Sequence, residues 1–183
     1  MSDTPSFPSL LTPNFLLRQI VQSDIDSIFK GLSNPQVTVW YGISYDNLES
    51  TQAQMEWYRD IVEQQSGIWW AICHPDHPAV LLGTCGFYDR DKESRNTDMG
   101  YWLHPEYWRQ GITQECIPAI LRYAFQHLEI HRVEAEVEPE NLASRRLLSK
   151  LGFSYEGKRR QCEWRGDHFV DLEYYSMLAG ELR

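Results

Sequence analysis

No stretch of this 183-residue chain is both apolar enough and long enough to cross a bilayer. The first thirty residues hold no apolar run flanked by basic residues, so no signal peptide is expected. Both absences point to a cytoplasmic protein with no membrane role. Cysteine is sparse: Cys73, Cys85, Cys116 and Cys162 stand far apart and form no CxxC pair. Reduced, mostly buried thiols are therefore expected rather than a disulfide framework. The run Cys73-His74-Pro75-Asp76-His77 carries potential metal ligands. Pro75 and Pro78 mark a turn there, however, and no second cluster completes a tetrahedron, so no metal is expected. Positive charge is short as well. With 17 Lys and Arg against 26 Asp and Glu, the formal net charge is −9. That argues against a nucleic-acid backbone as the main partner and favours a cationic one. Internal repeats, low-complexity runs and linkers are also missing.

The composition that remains, 42% hydrophobic and 23% charged, suits one soluble domain over residues 1–183 with a sizeable core. Residues 1–13 read as a loose lead-in. A strand is predicted over residues 15–20. A helix capped by Ser23-Asp24 runs to Leu32, with Ile25, Ile28, Phe29 and Leu32 at helical spacing, and Gly31, Asn34 and Pro35 end it. Trp40-Tyr41-Gly42 falls in a loop before a second helix, roughly Asp46 to Gln65. Strands at 68–73, 80–88 and 97–103 form a meander. A helix then runs from Thr113 to His127, followed by the alternating strand Arg132 to Val137. Another helix starts at Asn141 and ends at Gly152, a C-cap. Strands 153–162 and 168–178 close the chain around Arg165-Gly166-Asp167. The order β-α-α-β-β-β-α-β-α-β-β implies an α+β fold: one mixed sheet with helices on its faces and a right-handed β-α-β unit around the Thr113 helix.

The joint between strand 97–103 and the Thr113 helix reads Glu106-Tyr107-Trp108-Arg109-Gln110-Gly111-Ile112-Thr113-Gln114-Glu115. No Lys-Ser/Thr follows the glycine, so it is not a nucleotide P-loop. The first amides of a helix lack internal partners and its dipole makes that end positive. Gly111 would let backbone approach a ligand closely. The joint is thus a candidate phosphate seat, with Arg109 as an ion-pair partner and Thr113 as a hydroxyl donor. A glycine that merely turns the chain fits the local residues equally.

The run Gly100 to Glu115 resembles the acetyl-CoA-binding motif of GNAT-superfamily N-acetyltransferases, closest to their RimJ/RimL-type branch of ribosomal-protein N-terminal acetyltransferases and relatives. Asn141-Leu142-Ala143-Ser144-Arg145-Arg146-Leu147-Leu148-Ser149-Lys150-Leu151-Gly152-Phe153 is a second match. Phe153 to Gly157, Asp171 to Tyr175 and Thr12 to Arg18 extend the likeness over nearly the whole chain. The resemblance implies a mixed, mostly antiparallel sheet of seven strands, splayed into a V after its fourth strand and flanked by about four helices. It implies that the amides of Arg109, Gln110, Gly111, Ile112 and Thr113 hold the pyrophosphate of acetyl-CoA. The edge of Tyr101-Trp102-Leu103 would pair with the pantetheine arm, as in strand addition. Asn141 would hydrogen-bond that arm, Ser144 would lie beside the sulfur, and Lys150 joins the cofactor-binding set. The sequence departs from the family pattern at Trp108, where Gln or Arg is common, and at Thr113, where Gly or Ala is. Pro118 is expected to distort the first turn of its helix or to delay the start.

Acetyl transfer needs a neutral amine, a polarised thioester carbonyl and a stabilised leaving thiolate. Many family members use a Tyr as general acid at a position that is Leu148 here. In the RimJ/RimL-type branch a Ser and a Glu, here Ser144 and Glu163, are proposed to serve. Ser144 would donate to the thiolate and Glu163 would act as base. Glu134 and Glu136 are rival bases. An α-amine with pKa near 8 is about one-tenth neutral at pH 7, whereas a lysine near 10.4 is neutral about once in 2,500, a cost of roughly 4.6 kcal/mol. That favours a peptide N-terminal α-amine as acceptor. A small-molecule amine (antibiotic, amino acid or polyamine) and a catalytically silent acyl-CoA-binding module are the alternatives. Trp40, Tyr41, Trp69 and Trp70 are candidates to line an acceptor groove, or else core. The closing hairpin and the Trp-rich strand suit a homodimer.

Overall fold

A computed structural model describes residues 7–182 of the chain. The elements in order are β1 (Leu10–Leu11), β2 (Leu16–Gln19), α1 (Ile25–Leu32), α2 (Pro35–Tyr41), α3 (Leu48–Glu63), β3 (Ile68–His74), β4 (His77–Asp91), β5 (Asn96–Leu103), α4 (Ile112–His127), β6 (Arg132–Val137), α5 (Leu142–Leu151), β7 (Ser154–Arg165) and β8 (His168–Leu178). The strands form one sheet in the order β1-β2-β3-β4-β5-β6-β8-β7. Every pairing is antiparallel except β5 with β6. This is the mixed, mostly antiparallel α+β sheet expected from the sequence, with eight strands and five α-helices instead of seven and four.

The sheet buries both faces. One face, with Leu17, Trp70, Phe87, Met99, Leu103, Val133, Ala135 and Val137, packs on Ile117, Ile120 and Leu121 of α4 and Leu148 of α5. The other carries Trp69, Ala71, Cys73 and Trp102 under Ile28 and Leu32 of α1 and Met55, Tyr58 and Ile61 of α3. The alternation of β6 therefore holds: Val133, Ala135 and Val137 are core, while Glu134 and Glu136 point to the α1–α3 side.

The extra elements come from signals that admit two meanings. In the lead-in, residues 1–6 lie outside the described residues, but Leu10–Leu11 pairs with β2 as an edge strand. Asn34-Pro35 closes one helix and opens the next. The Asn34 side chain accepts from the Gln36 amide at 3.0 Å and Pro35 takes the first helical position, so Trp40 and Tyr41 form the last turn of α2 and not a loop. Gly31 does not end α1; it lies within it. A Cβ there would fall 2.3 Å from the Trp102 ring, so glycine is required by the close crossing of α1 over β5. The Asp24 side chain does not cap α1. It is buried, takes both terminal guanidinium nitrogens of Arg18 at 2.7 and 2.8 Å, and accepts from the Val21 amide at the start of the preceding 3-10 turn. Pro118 neither delays nor shortens α4, which begins at Ile112, one residue earlier than predicted. β7 runs past Cys162 to Arg165 because a bulge between Arg159 and Glu163 absorbs the irregularity, with the Gln161 amide donating to Asp171 at 2.9 Å.

Candidate active site

β5 and β6 are held together at only three parallel pairs: Asn96 with Arg132, Thr97 with Val133, and Asp98 with Glu134. Beyond Asp98 the two strands part. β5 stays paired to β4 as far as Leu103, and β6 stays paired to β8 as far as Val137. From Met99 to Leu103, the edge of β5 that faces β6 therefore has no strand partner. This leaves backbone donors and acceptors free to receive an extended ligand. Trp102 contributes backbone only, since its ring is buried against Gly31.

The loop after β5 ends at the N-terminus of α4. Arg109 and Gly111 both adopt positive φ, 61° and 76°, turning successive amides to one side. The first backbone bond into α4 is from the Glu115 amide to the Gly111 carbonyl at 3.0 Å. Among the described residues, no hydrogen bond uses the amides of residues 109–114. A Cβ at Gly111 would meet nothing within 4 Å, so the cradle is open. Six unpartnered amides at a positive helix end fit a pyrophosphate. Arg109 and Gln110 are exposed beside them, Ile112 is buried below, and Thr113 is half-buried in the first turn. Trp108 fixes the loop's other end: its indole N–H donates to the Leu103 carbonyl at 2.9 Å, closing the end of β5.

α5 begins across the gap. The Asn141 side-chain oxygen accepts from the Ser144 amide at 3.1 Å, capping the helix. Its amide group makes no bond among the described residues and stays free for a carbonyl. The Ser144 hydroxyl lies 2.6 Å from the Tyr101 phenol oxygen of β5. Burial pushes that phenol up to about 12, with the Ser144 contact opposing. Lys150 lies at the far end of α5, about 13 Å along the axis from Asn141, and is exposed.

The opposite side of the gap is acidic. Asp98 is half-buried, shares its face with Tyr88 and Glu134, and makes no side-chain hydrogen bond or ion pair among the described residues. Burial, and then Glu134, Glu136 and Asp89, push it up to about 6. Glu134 is taken up by Arg132 at 2.5 Å, and Glu136 is exposed. Glu163 is paired with Arg165 at 2.7 Å, and the same guanidinium reaches Glu138 at 2.5 Å. That guanidinium also sits against Gly42 at the end of α2, so the β7–β8 hairpin leans over this face. Trp69 and Trp70 are core, Tyr41 is half-buried, and Trp40 is exposed. His104 is buried, bonded to the Ser27 hydroxyl at 3.0 Å and lowered by burial, a structural histidine. The metal-like segment folds as the tight β3–β4 turn, with His74 opposite His77.

The structure thus brings Tyr101, Asn141 and Ser144 together, sets residues 109–113 at the α4 terminus, and leaves Lys150 apart. Sequence reasoning missed Asp98 and the Tyr101 phenol. The available signal was the alternation of β5, which puts Asp98 and Gly100 on one face and Met99 and Tyr101 on the other.

Residues 14–154 match the family described as acetyltransferase (GNAT) domain. The chain is 35% identical over 173 residues to YoaA of Bacillus subtilis strain 168, an uncharacterized N-acetyltransferase, covering 94% of this chain and 97% of that protein. Its fold is similar to that of RimL, a ribosomal L7/L12 alpha-N-protein acetyltransferase solved with coenzyme A, with a TM-score of 0.82 at 17% identity over 93% of this chain and 98% of that one. It is also similar to spermidine N-acetyltransferase from Vibrio cholerae, solved with CoA and spermine, with a TM-score of 0.81 at 18% identity over 91% and 96%.

Proposed function

The chain belongs to the GNAT acetyltransferase family, and we propose that this acetyl-CoA-dependent N-acetyltransferase acts on a peptide N-terminal α-amine by direct attack in a ternary complex. In this reading acetyl-CoA enters from the α4–α5 side. Its pyrophosphate lies on the amides of residues 109–113 near Arg109 and the Thr113 hydroxyl. Its pantetheine arm runs along the edge of Tyr101, Trp102 and Leu103, and Asn141 donates to it. Lys150 would reach the nucleotide end. The amine approaches from the α1–α3 side, and the two meet in the gap.

Asp98 carries the acceptor half of the proposal. It stands at the root of the gap, and among the described residues its oxygens have no hydrogen-bond or ion-pair partner. A base near 6 can take a proton from an α-amine near 8 at a cost of about 3 kcal/mol, against about 6 kcal/mol for a lysine near 10.4. Glu163 remains the rival base, but one of its oxygens is held by Arg165. Ser144 serves as donor to the leaving thiolate. The acidic face of Asp98, Glu134 and Glu136 favours a second reading, a polyamine acceptor.

Thiol release from acetyl-CoA with N-terminal peptides, blocked peptides, polyamines and small amines separates these readings. Release with free N-terminal peptides supports the proposal. Release with polyamines alone supports the second reading, and release with none supports a silent acyl-CoA-binding module. A cytoplasmic setting, in keeping with the free thiols Cys73, Cys85 and Cys116, belongs to the same proposal. So does a homodimer through the exposed hairpin residues Trp164 and Phe169, which sedimentation would test.

A further inference from the structure

Ser144 has one hydroxyl proton, and a hydroxyl rotates freely unless a neighbour fixes it. The Tyr101–Ser144 contact at 2.6 Å joins two hydroxyls, and only one of their two protons can lie between the oxygens. If Ser144 donated to Tyr101, nothing would remain for a sulfur anion in the gap. If Tyr101 donates, the Ser144 proton is free to point there. The distance fits either donor, and only the second arrangement leaves Ser144 able to serve the sulfur. The phenol is held by packing on the α4–α5 face, and the Ser144 backbone is held by the Asn141 cap. The two residues are thereby held by groups that do not depend on the bond between them.

We propose that Tyr101 is a positioning residue, which donates its phenol proton to Ser144 and so aims the Ser144 hydroxyl at the leaving thiolate of CoA. This rests on the reading of Ser144 as thiolate donor. As the amine nitrogen bonds to the acetyl carbon, the carbon–sulfur bond breaks with its electron pair on sulfur. The nitrogen proton passes to Asp98 and on to solvent. The thiolate accepts the Ser144 hydrogen bond and then takes a proton from solvent. Tyr101 keeps its own proton throughout, since a phenol near 12 is too weak an acid to protonate a thiolate whose thiol lies near 8.5. The missing family tyrosine at Leu148 is thus answered by a phenol from β5, acting through Ser144 and not on the sulfur itself.

The test is a double-mutant cycle with Tyr101→Phe, Ser144→Ala and the pair, reading thiol release from acetyl-CoA both with an amine acceptor and with water alone. CoA affinity is measured by calorimetry in each variant. The water reaction needs no acceptor, so the result does not depend on which amine is the substrate. Each single variant is expected to lower kcat about tenfold, the size of one hydrogen bond, with CoA affinity unchanged and the pair no slower than either single variant. Wild-type kcat in Tyr101→Phe would overturn the proposal, as would losses that multiply to about a hundredfold in the pair or a loss confined to CoA affinity. If Ser144→Ala alone keeps full rate, the reading of Ser144 has failed and the proposal with it.

Discussion

Asp98 and Glu134 are the last facing pair of β5 and β6, and the sheet opens immediately beyond them. Two carboxylates meet at the root of a gap, and among the described residues Glu134 has a cation, Arg132, while Asp98 has none. The unpaired member is half-buried, so its charged form is disfavoured by desolvation and by its acidic neighbours. In the proposed function this carboxylate, with its raised proton affinity, is the group that meets the amine.

Asp98→Asn keeps the shape and removes the base. It should lower kcat about a hundredfold, the low end for general-base catalysis, and leave CoA affinity unchanged by calorimetry. Glu163→Gln, measured alongside, should change kcat much less. If Glu163→Gln gives the larger loss, Glu163 is the base.

The pH dependence follows with a definite sign. The carboxylate must be deprotonated to accept a proton, so kcat should rise with pH through about 6 and level off above it. Asp98→Asn should abolish that inflection while leaving any limb due to the amine substrate. A wild-type profile flat between pH 5 and 7 contradicts the assignment.

Gly111 separates binding from folding. A side chain there meets no protein atom but must adopt a positive φ. Gly111→Ala should cost about 1–2 kcal/mol of stability, seen as a drop of several degrees in Tm. CoA affinity should fall by about tenfold or more, because the added carbon occupies the open cradle. Unchanged affinity would remove the phosphate from this seat.

Gly31→Ala should destabilise by about 1–3 kcal/mol through overpacking against Trp102, seen in chemical denaturation. Trp102 lies in the strand whose edge faces the gap, so CoA affinity should weaken in the same variant.

Much of this site is legible in the sequence because it is made by backbone. Gly111, Asn141 and Gly152 each have a local meaning, as turn, cap and helix stop, and the structure gives them those places. Asp98 was not legible, because a carboxylate in a strand reads as solvated until the neighbouring strand is known to diverge beside it. The Tyr101–Ser144 contact spans 43 residues and no local pattern announces it. Asn34-Pro35 is a stop for α1 and also the start of α2, since the residues that cap a helix are those that break one. Trp108 departs from the family pattern at the joint, and its indole secures the end of β5, a role set by tertiary distance.

The most direct test of the central claim is a one-pot competition. Acetyl-CoA and enzyme are mixed with equal concentrations of a peptide bearing a free N-terminus, the same peptide N-terminally blocked with an internal lysine, and spermidine. The products are then counted by mass spectrometry. An α-amine acetyltransferase with a base near 6 should place most of the acetyl groups on the free N-terminus, and Asp98→Asn should suppress that product. Acetylation that goes mainly to spermidine or to the lysine would contradict the account.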